Sequence, residues 1–285
     1  MTRTLVTGAT GFVGSHLVPT LLEAGHDVVA ATRRPQGYEG PVEAVRLDLD
    51  EPATIAPALV GMTMAYYLAH GMEAAAYATR DAAAARAFGG AAADAGTKVV
   101  YLGGLGSDRD ESEHLASRHE VGRILRDTCD AVELRAAVVI GAGSASFEIL
   151  RQLVDHLPAM VCPRWVDTKC QPIALSDALA YLVAAPGLAG GSYDIGGADV
   201  LTYREMLLAY ARITGKRRLI VSVPVLTPWL SSLWLGLVTD QPPSIARPLV
   251  EGLSVEVVVG DDRIRRLVPL EPMGFDEAVR QALTV

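Results

Sequence analysis

Cysteine is scarce in this sequence, and the cysteines present do not form a recognisable set. Cys129, Cys162 and Cys170 are an odd number without paired spacing. They exclude a small disulfide-stapled scaffold and favour a reducing, cytoplasmic environment. The amino terminus leads into a strand with no apolar secretory run, which agrees with that location. Because no histidine or cysteine cluster accompanies Cys162 and Cys170, we expect no metal site.

An excess of positive charge is also lacking, since the formal net charge is −8. Phosphate backbones are bound by basic faces, so we expect no nucleic-acid partner. One stretch of 20 residues, 219–238, carries no charge and has the length of a membrane span. It contains Pro224 and Pro228, however, and the residue pattern of its first part predicts a strand. We therefore expect no membrane span, but a buried strand followed by an apolar pocket wall or interface helix.

What the sequence does contain is an alternation of apolar strands and helical segments in its first half. Half of the residues are hydrophobic and a fifth are charged, which suits one large α/β domain. Strand–helix–strand repeats at this spacing predict a mostly parallel sheet with helices on both faces. Pro19 conflicts with the first helix, and Gly89-Gly90 is expected to interrupt an alanine-rich helix over residues 73–95. The predicted strands are Thr4–Thr7, Asp27–Thr32, Val42–Leu47, Met62–Ala69, Lys98–Leu102 and Val132–Ile140.

In the second half of the chain, strands and helices alternate less regularly, which predicts a small lobe on the sheet. Helices are expected at 147–156, 176–184 and 202–214, a strand at 192–195, and an irregular segment at 158–172. Thr202 with Glu205 forms a capping-box pattern at the start of the last helix. We assign residues 1–285 to one domain. Its core is expected at about 1–146 and 171–200, and its substrate lobe at about 147–170 and 201–270, where ligands bind in open α/β sheets.

A glycine-rich loop between the first strand and the first helix predicts a dinucleotide site. Its spacing is Gly-x-x-Gly-x-x-Gly, with Gly8 for the turn, Gly11 for approach to a pyrophosphate and Gly14 for close helix packing. The helix amino terminus would add free N–H groups and positive potential. The residues expected to bind the cofactor here are Gly8, Thr10, Gly11, Phe12, Val13 and Gly14.

The residues after the second strand indicate which nucleotide is bound. An NAD site places Asp or Glu there, whereas this chain has Arg33 and Arg34, which suit a 2′-phosphate. We therefore predict NADP(H). Asp48 and Leu49 would lie beside the adenine, although Asp48 also suits a turn. Further along the same edge of the sheet, the predicted cofactor-binding residues are Ala69 and Gly103.

These motifs resemble those of the short-chain dehydrogenase/reductase superfamily, in its atypical or NmrA-like branch. The resemblance rests on the glycine loop, Asp48-Leu49, the segments 99–104 and 171–177, and Tyr193-Asp194-Ile195-Gly196-Gly197. It implies a Rossmann-like, doubly wound sheet of about seven strands, a bound NAD(P)(H) and a small carboxyl-terminal substrate lobe.

The catalytic pattern of that superfamily is missing from this chain. The family uses Tyr-x-x-x-Lys on the helix after the fifth strand, but no tyrosine here has lysine four residues on, and Gly103-Gly104 replaces the serine. On the expected helix, His114 and Arg118 share one face and could replace that pair, or could belong to a charged surface face. His70, after the fourth strand, is a second candidate for a catalytic residue.

The sequence thus predicts an NADPH-dependent oxidoreductase acting on a small, mostly apolar carbonyl, enone or quinone-like substrate. The missing catalytic pair leaves two alternatives open: a non-catalytic NADP(H)-binding sensor or structural protein, and a non-redox isomerase or cyclase. A homodimer is possible by analogy with such folds. Five apolar residues could line the substrate pocket or belong to the core: Phe147, Met160, Trp165, Trp229 and Trp234.

Overall fold

The computed structural model of the chain describes residues 2–69, 77–106, 112–223 and 252–284. Within these ranges, no helix combines the length and the apolar character that crossing a membrane would require. The first part of the charge-free stretch is a strand at Leu219–Val223, but only Ile220 of this strand is buried, so the expected burial is wrong. The rest of that stretch, together with Trp229 and Trp234, lies outside the described residues.

A seven-stranded parallel sheet forms the centre of the molecule. Its strands are β1 (Arg3–Thr7), β2 (Asp27–Thr32), β3 (Ala44–Arg46), β4 (Met64–Tyr67), β5 (Lys98–Gly104), β6 (Ala131–Ala136) and β11 (Gly191–Ile195). The strands outside this sheet are β7 (Val139–Ile140), β8 (Ala159–Pro163), β9 (Lys169–Cys170), β10 (Ile173–Ala174), β12 (Leu201–Thr202) and β13 (Leu219–Val223). The order in the main sheet is β11-β6-β5-β4-β1-β2-β3, so the chain reverses direction across the sheet between β1 and β4. This confirms the predicted Rossmann-like doubly wound fold.

Helices cover both faces of the sheet, because alternate residues of each strand point to opposite sides. The helices are α1 (Phe12–Glu23), α2 (Ile55–Leu59), α3 (Tyr77–Ala95), α4 (Glu113–Thr128), α5 (Ala145–His156), α6 (Leu175–Ala184), α7 (Tyr203–Ile213), α8 (Ile264–Leu267) and α9 (Phe275–Leu283). One face of the sheet packs on α1 and α6, and the other packs on α2, α3 and α4. Short 3-10 turns lie at Pro35–Gly37, Pro52–Thr54, Arg164–Asp167 and Ala185–Gly187.

Two predictions about helix continuity can be compared with the structure. The break expected at Gly89-Gly90 is wrong, because α3 continues through both residues. A Cβ on Gly89 would lie 2.1 Å from Thr128 Oγ1, so this glycine lets α3 approach α4 closely. Helix α1 likewise continues through Pro19, whose side chain lies on the exposed face.

Two predictions about strands need correction. The strand expected over 132–140 is two strands: β6 ends at Ala136, and β7 leaves the main sheet to pair with β10. The segment 158–172, expected to be irregular, contains β8 and β9, and β8 pairs in parallel with β13. These pairings join distant parts of the chain, so the local pattern does not reveal them.

The carboxyl-terminal elements pack into a hydrophobic cluster of their own. Helices α5, α7 and α9 bury Phe147, Leu153, Met206, Tyr210 and Val279 together with residues of β8 and β13. The capping box predicted at the start of α7 is present, with Thr202 Oγ1 accepting from the Glu205 N–H and Glu205 accepting from the Thr202 N–H. The cluster includes Ile140 of β7, so it lies just beyond the carboxyl end of β6.

Candidate functional site

The glycine loop joins β1 to α1 in a conformation that only small residues permit. Gly8 has a φ of 64°, and the Gly11 N–H donates to the Gly8 carbonyl at 2.9 Å. A Cβ on Gly14 would lie 2.1 Å from the Gly8 oxygen, so the loop and the first turn of α1 are in direct backbone contact. The sequence therefore folds this segment into the tight turn that its glycine spacing predicts.

The amino terminus of α1 is electrostatically suited to an anion. Gly11 is the N-cap residue and makes no side-chain capping bond, and the first turn contains no acidic residue. The free N–H groups of a first helical turn carry positive potential that favours a phosphate group. The loop residues thus fit the pyrophosphate of a dinucleotide.

The loop lies at the point where the strand order reverses. The Thr7 hydroxyl accepts hydrogen bonds from the backbone N–H groups of Leu68 at 3.0 Å and Ala69 at 3.4 Å. A Cβ on Gly8 would lie 3.2 Å from the Ala69 nitrogen. The end of β4 is therefore held against the glycine loop, in the crevice where open α/β sheets bind ligands.

The parallel sheet brings the other predicted cofactor residues to the same edge. Arg33 and Arg34 follow β2, Asp48 and Leu49 follow β3, and Gly103 lies near the end of β5. Phe12 extends from the glycine loop toward Gly141, where a Cβ would lie 3.1 Å from the Phe12 ring. The edge thus runs from β3 to the turn after β7.

Arg33 and Arg34 are exposed, and neither forms an ion pair with any residue in the described ranges. Arg46 differs from them: it also lies at the carboxyl end of its strand, but it pairs with Glu51 at 2.8 Å. Arg33 and Arg34, which have no acidic partner among the described residues, therefore fit a phosphate group at the end of β2.

Asp48 and Leu49 are involved in local structure. The Asp48 carboxylate accepts a hydrogen bond from the Asp50 N–H at 3.1 Å, which is the turn interaction that the sequence also allows. Leu49 packs against the core on the α2–α4 face of the sheet. Both residues lie at the expected edge.

A second set of polar residues lies where α4 crosses the end of β5. An Arg118 guanidinium nitrogen donates to the Leu102 carbonyl at 2.5 Å, and its aliphatic chain passes the place where a Cβ on Gly104 would be, at 3.4 Å. A Cβ on Gly104 would lie closer to Leu115, 2.6 Å from its Cδ1, so the lack of a side chain at the end of β5 makes room for Leu115 of α4. Arg118 is held against the β5 backbone near the predicted cofactor edge.

His114 lies one turn before Arg118 and is partly buried. Burial, reinforced by the positive charge of Arg118, lowers the pKa of His114 to about 4. At neutral pH the imidazole is therefore uncharged. A neutral imidazole still has one N–H that can donate a hydrogen bond to a carbonyl oxygen.

Two neighbouring residues complete this region. His119, which sequence reasoning did not single out, hydrogen-bonds through Nε2 to the Gly104 carbonyl at 2.9 Å. The carbonyl can only accept, so Nε2 carries the proton. Tyr101 is a buried core residue whose hydroxyl donates to the Arg118 carbonyl at 3.1 Å, and burial raises its pKa. Neither residue has a sequence pattern that marks it in advance.

His70, the other catalytic candidate, lies outside the described residues. Within the described ranges, no group of three or more histidine, cysteine, aspartate or glutamate residues could hold a metal ion.

An apolar cavity of about 60 Å³ lies between α5 and α7 in the carboxyl-terminal cluster. Its lining includes Trp165, one of the aromatic residues that the sequence proposes for a pocket. Phe147 and Met160 are buried in the same cluster but are not among the lining residues. The described residues that line the cavity are Val138, Ser146, Ile149, Leu150, Leu153, Trp165, Tyr203, Met206, Leu207 and Leu253.

Comparison with known proteins agrees with the amino-terminal geometry. Residues 4–103 match the model of the NAD dependent epimerase/dehydratase family. No curated protein sequence matches the chain significantly.

Solved structures match over nearly the whole chain. A nucleoside-diphosphate-sugar epimerase from Staphylococcus aureus is 16% identical, with a TM-score of 0.79 over 98% of this chain and 100% of the other. The triphenylmethane reductase of Citrobacter sp., complexed with NADP(H), is 18% identical, with a TM-score of 0.76 over 98% of this chain and 99% of the other. A protein from Agrobacterium tumefaciens with bound NAD is 19% identical, with a TM-score of 0.74 over 99% and 96%.

The glycine loop, the seven-stranded sheet and these similarities lead to one assignment. The chain has the fold of the NAD(P)-binding short-chain dehydrogenase/reductase superfamily, and residues 4–103 match the NAD dependent epimerase/dehydratase family.

Proposed function

We propose that this protein is an NADPH-dependent oxidoreductase of the atypical, NmrA-like type, acting on a small, mostly apolar carbonyl, enone or quinone-like compound. The observation that carries the proposal is the glycine loop, which places an uncapped helix terminus at the reversal point of the sheet. The family match over residues 4–103 and the structural similarity to an NADP(H)-complexed reductase support it. The sheet core would bind the nucleotide, and the carboxyl-terminal lobe would bind the substrate.

The proposed choice of NADP(H) rests on Arg33 and Arg34. Both are exposed, and neither has an acidic partner within the described ranges, so they are available to a 2′-phosphate. Charge-assisted bonds from guanidinium groups to phosphate are among the stronger polar contacts in proteins. When bound, the nicotinamide supplies the hydride, and the residues of this chain position the two reactants.

The cofactor proposal predicts that NADPH binds more tightly than NADH, by about tenfold or more. Replacing both arginines (Arg33→Ala with Arg34→Ala) should erase the difference by weakening NADPH binding. Isothermal titration calorimetry measures both affinities. Arg46→Ala is the control, because Arg46 lies on the same side of the sheet but pairs with Glu51 at 2.8 Å. Equal affinities for the two nucleotides in the unmodified protein would contradict the proposal.

His114 and Arg118 are the proposed active-site residues of α4. Because the pKa of His114 is about 4, its neutral N–H would polarise the substrate carbonyl by hydrogen bonding. The proton that the reduced oxygen takes up would come from water, either directly or through the imidazole, whose second nitrogen would accept a proton as the first gives one up. Arg118, fixed by the Leu102 carbonyl, would position the ribose or the substrate. His70 remains a candidate for the same step.

The catalytic role predicts that His114→Ala lowers kcat for NADPH oxidation by about a hundredfold, with little effect on NADPH affinity. The measurement is steady-state NADPH oxidation with a panel of uncharged ketones, enones and quinones. His156→Ala is the matched control, since His156 is exposed at the end of α5. Unchanged rates in His114→Ala with a genuine substrate would reject the role.

A second candidate function is an NADP(H)-binding protein without redox chemistry, or a non-redox isomerase or cyclase. The observation that favours it is the absence of the Tyr-x-x-x-Lys pair from the sequence. NADPH that binds but is not oxidised with any member of the panel would support this candidate against the first.

A further inference from the structure

The cavity between α5 and α7 has a lining that limits what it can bind. None of its described lining residues carries a charge, and most contribute only aliphatic carbon. Tyr203 provides a hydroxyl that is already hydrogen-bonded to the Cys170 side chain. A diphosphate would need cationic or N–H partners that this described lining does not provide.

One polar group in this lining has no hydrogen-bond partner among the described residues. The indole Nε1 of Trp165 is buried, and no residue in the described parts of the chain accepts its hydrogen bond. The tryptophan indole can only donate a hydrogen bond, and a buried donor left unpaired is unfavourable. The ring is fixed in place by an edge-to-face contact with Tyr203, with centroids 6.1 Å apart. The indole N–H is therefore available to a bound molecule with a hydrogen-bond acceptor, which the described residues do not supply.

The cavity also lies next to the end of the main sheet. Val138 is part of the lining and follows β6 by two residues, between β6 and β7. Its carbonyl accepts from the Ile173 N–H at 2.9 Å, which fixes this segment. A molecule in the cavity would contact the chain just beyond the carboxyl end of β6, on the edge that carries the predicted cofactor residues.

We propose that this cavity anchors the substrate, and that the Trp165 indole N–H donates a hydrogen bond to its acceptor oxygen. The inference rests on the proposed function and deepens it. The ligand class is an uncharged, apolar molecule with a carbonyl-type acceptor, and the described lining offers no cation to the diphosphate of a nucleotide sugar. Trp165 is thus a specificity-determining residue that selects for one acceptor in an otherwise apolar molecule.

Acetophenone and α-methylstyrene form a matched pair of probes, because they differ only by C=O against C=CH₂. Both are titrated into the full-length protein with NADP⁺, which cannot reduce the ketone. We expect acetophenone to bind roughly fivefold more tightly, as one hydrogen bond would give. The Trp165 indole proton resonance, assigned as the signal that Trp165→Phe removes, should move downfield with acetophenone alone.

The variant Trp165→Phe keeps an aromatic ring but loses the donor, so its preference for acetophenone should disappear. Tyr193→Phe is the control, because it also removes an aromatic donor but lies on β11, outside the cavity lining. Three results would overturn the inference: a preference retained in Trp165→Phe, an indole signal that does not respond to acetophenone, or displacement of acetophenone by uridine diphosphate.

The same titrations without nucleotide separate this inference from the proposed function. If NADP⁺ does not bind but the acetophenone preference persists, the cavity assignment stands and the oxidoreductase proposal fails. If NADPH binds and is oxidised but the preference is absent, the cavity assignment fails alone.

Discussion

At the scale of single residues, the sequence pattern predicts the relative position of His114 and Arg118 but not the protonation state of His114. Their spacing of four predicts that they share one helix face, and they interact electrostatically in the structure. The protonation state depends instead on burial, which the pattern does not reveal. Burial is the larger cause of the lowered pKa of His114, and the charge of Arg118 is the smaller one.

The lowered pKa has a consequence for stability. The unfolded chain binds a proton at His114 near pH 6.5, whereas the folded protein binds it only near pH 4. Between these values the unfolded state holds more protons, so this residue makes the free energy of unfolding fall as the pH drops from about 6.5 to about 4. Above pH 6.5 its contribution is constant.

We predict that Arg118→Met raises the pKa of His114, because it removes the repelling charge. The pKa should stay below 6.5, since the larger effect of burial remains. Nuclear magnetic resonance titration of the His114 ring protons gives the measurement. Arg123→Met is the control on the same helix, as Arg123 is exposed and pairs with Glu120 and Asp127. A titration midpoint identical in Arg118→Met and the unmodified protein would contradict this account.

At the scale of elements, two helical glycines illustrate opposite outcomes. Gly14 is buried where α1 meets the glycine loop, and its position is expected from the motif spacing. Gly89-Gly90 was expected to break α3, but the helix is continuous. Glycine in a helix sequence signals either a break or a close approach, and only the packing partner distinguishes them.

Gly14→Ala should therefore disrupt the nucleotide loop, because the added Cβ would lie 2.1 Å from the Gly8 oxygen. We expect a loss of about 1–3 kcal/mol in the free energy of unfolding and NADPH binding weakened by about tenfold or more. Urea denaturation and calorimetry provide the two measurements.

Gly90→Ala is the matched control for that substitution. Gly90 is an exposed helical glycine with no atom within 4 Å of the place where a Cβ would be. Alanine there should stabilise the protein by up to about 1 kcal/mol and leave NADPH binding unchanged. The interpretation of the loop fails if Gly14→Ala binds NADPH as tightly as Gly90→Ala does.

At the scale of the whole molecule, buried polar residues attach the carboxyl-terminal segment to the sheet. Asp194 on β11 pairs with Arg135 at 2.7 Å and accepts from the Gly260 N–H at 3.0 Å. Gln171 donates to the Gly197 carbonyl at 2.8 Å and accepts from the Val259 N–H at 3.0 Å. Through these hydrogen bonds, the buried side chains of Asp194 and Gln171 make residues 259–260 part of the same folded unit as β11.

The sequence alone determined the alternation of strands and helices, the nucleotide loop and the cap of α7, because each depends on periodicity or on turn chemistry within a few residues. The tertiary structure decided the split between β6 and β7, the neutral state of His114 and the unpaired indole of Trp165. These features depend on which distant atoms surround a residue, and a local pattern of residue types does not encode that environment.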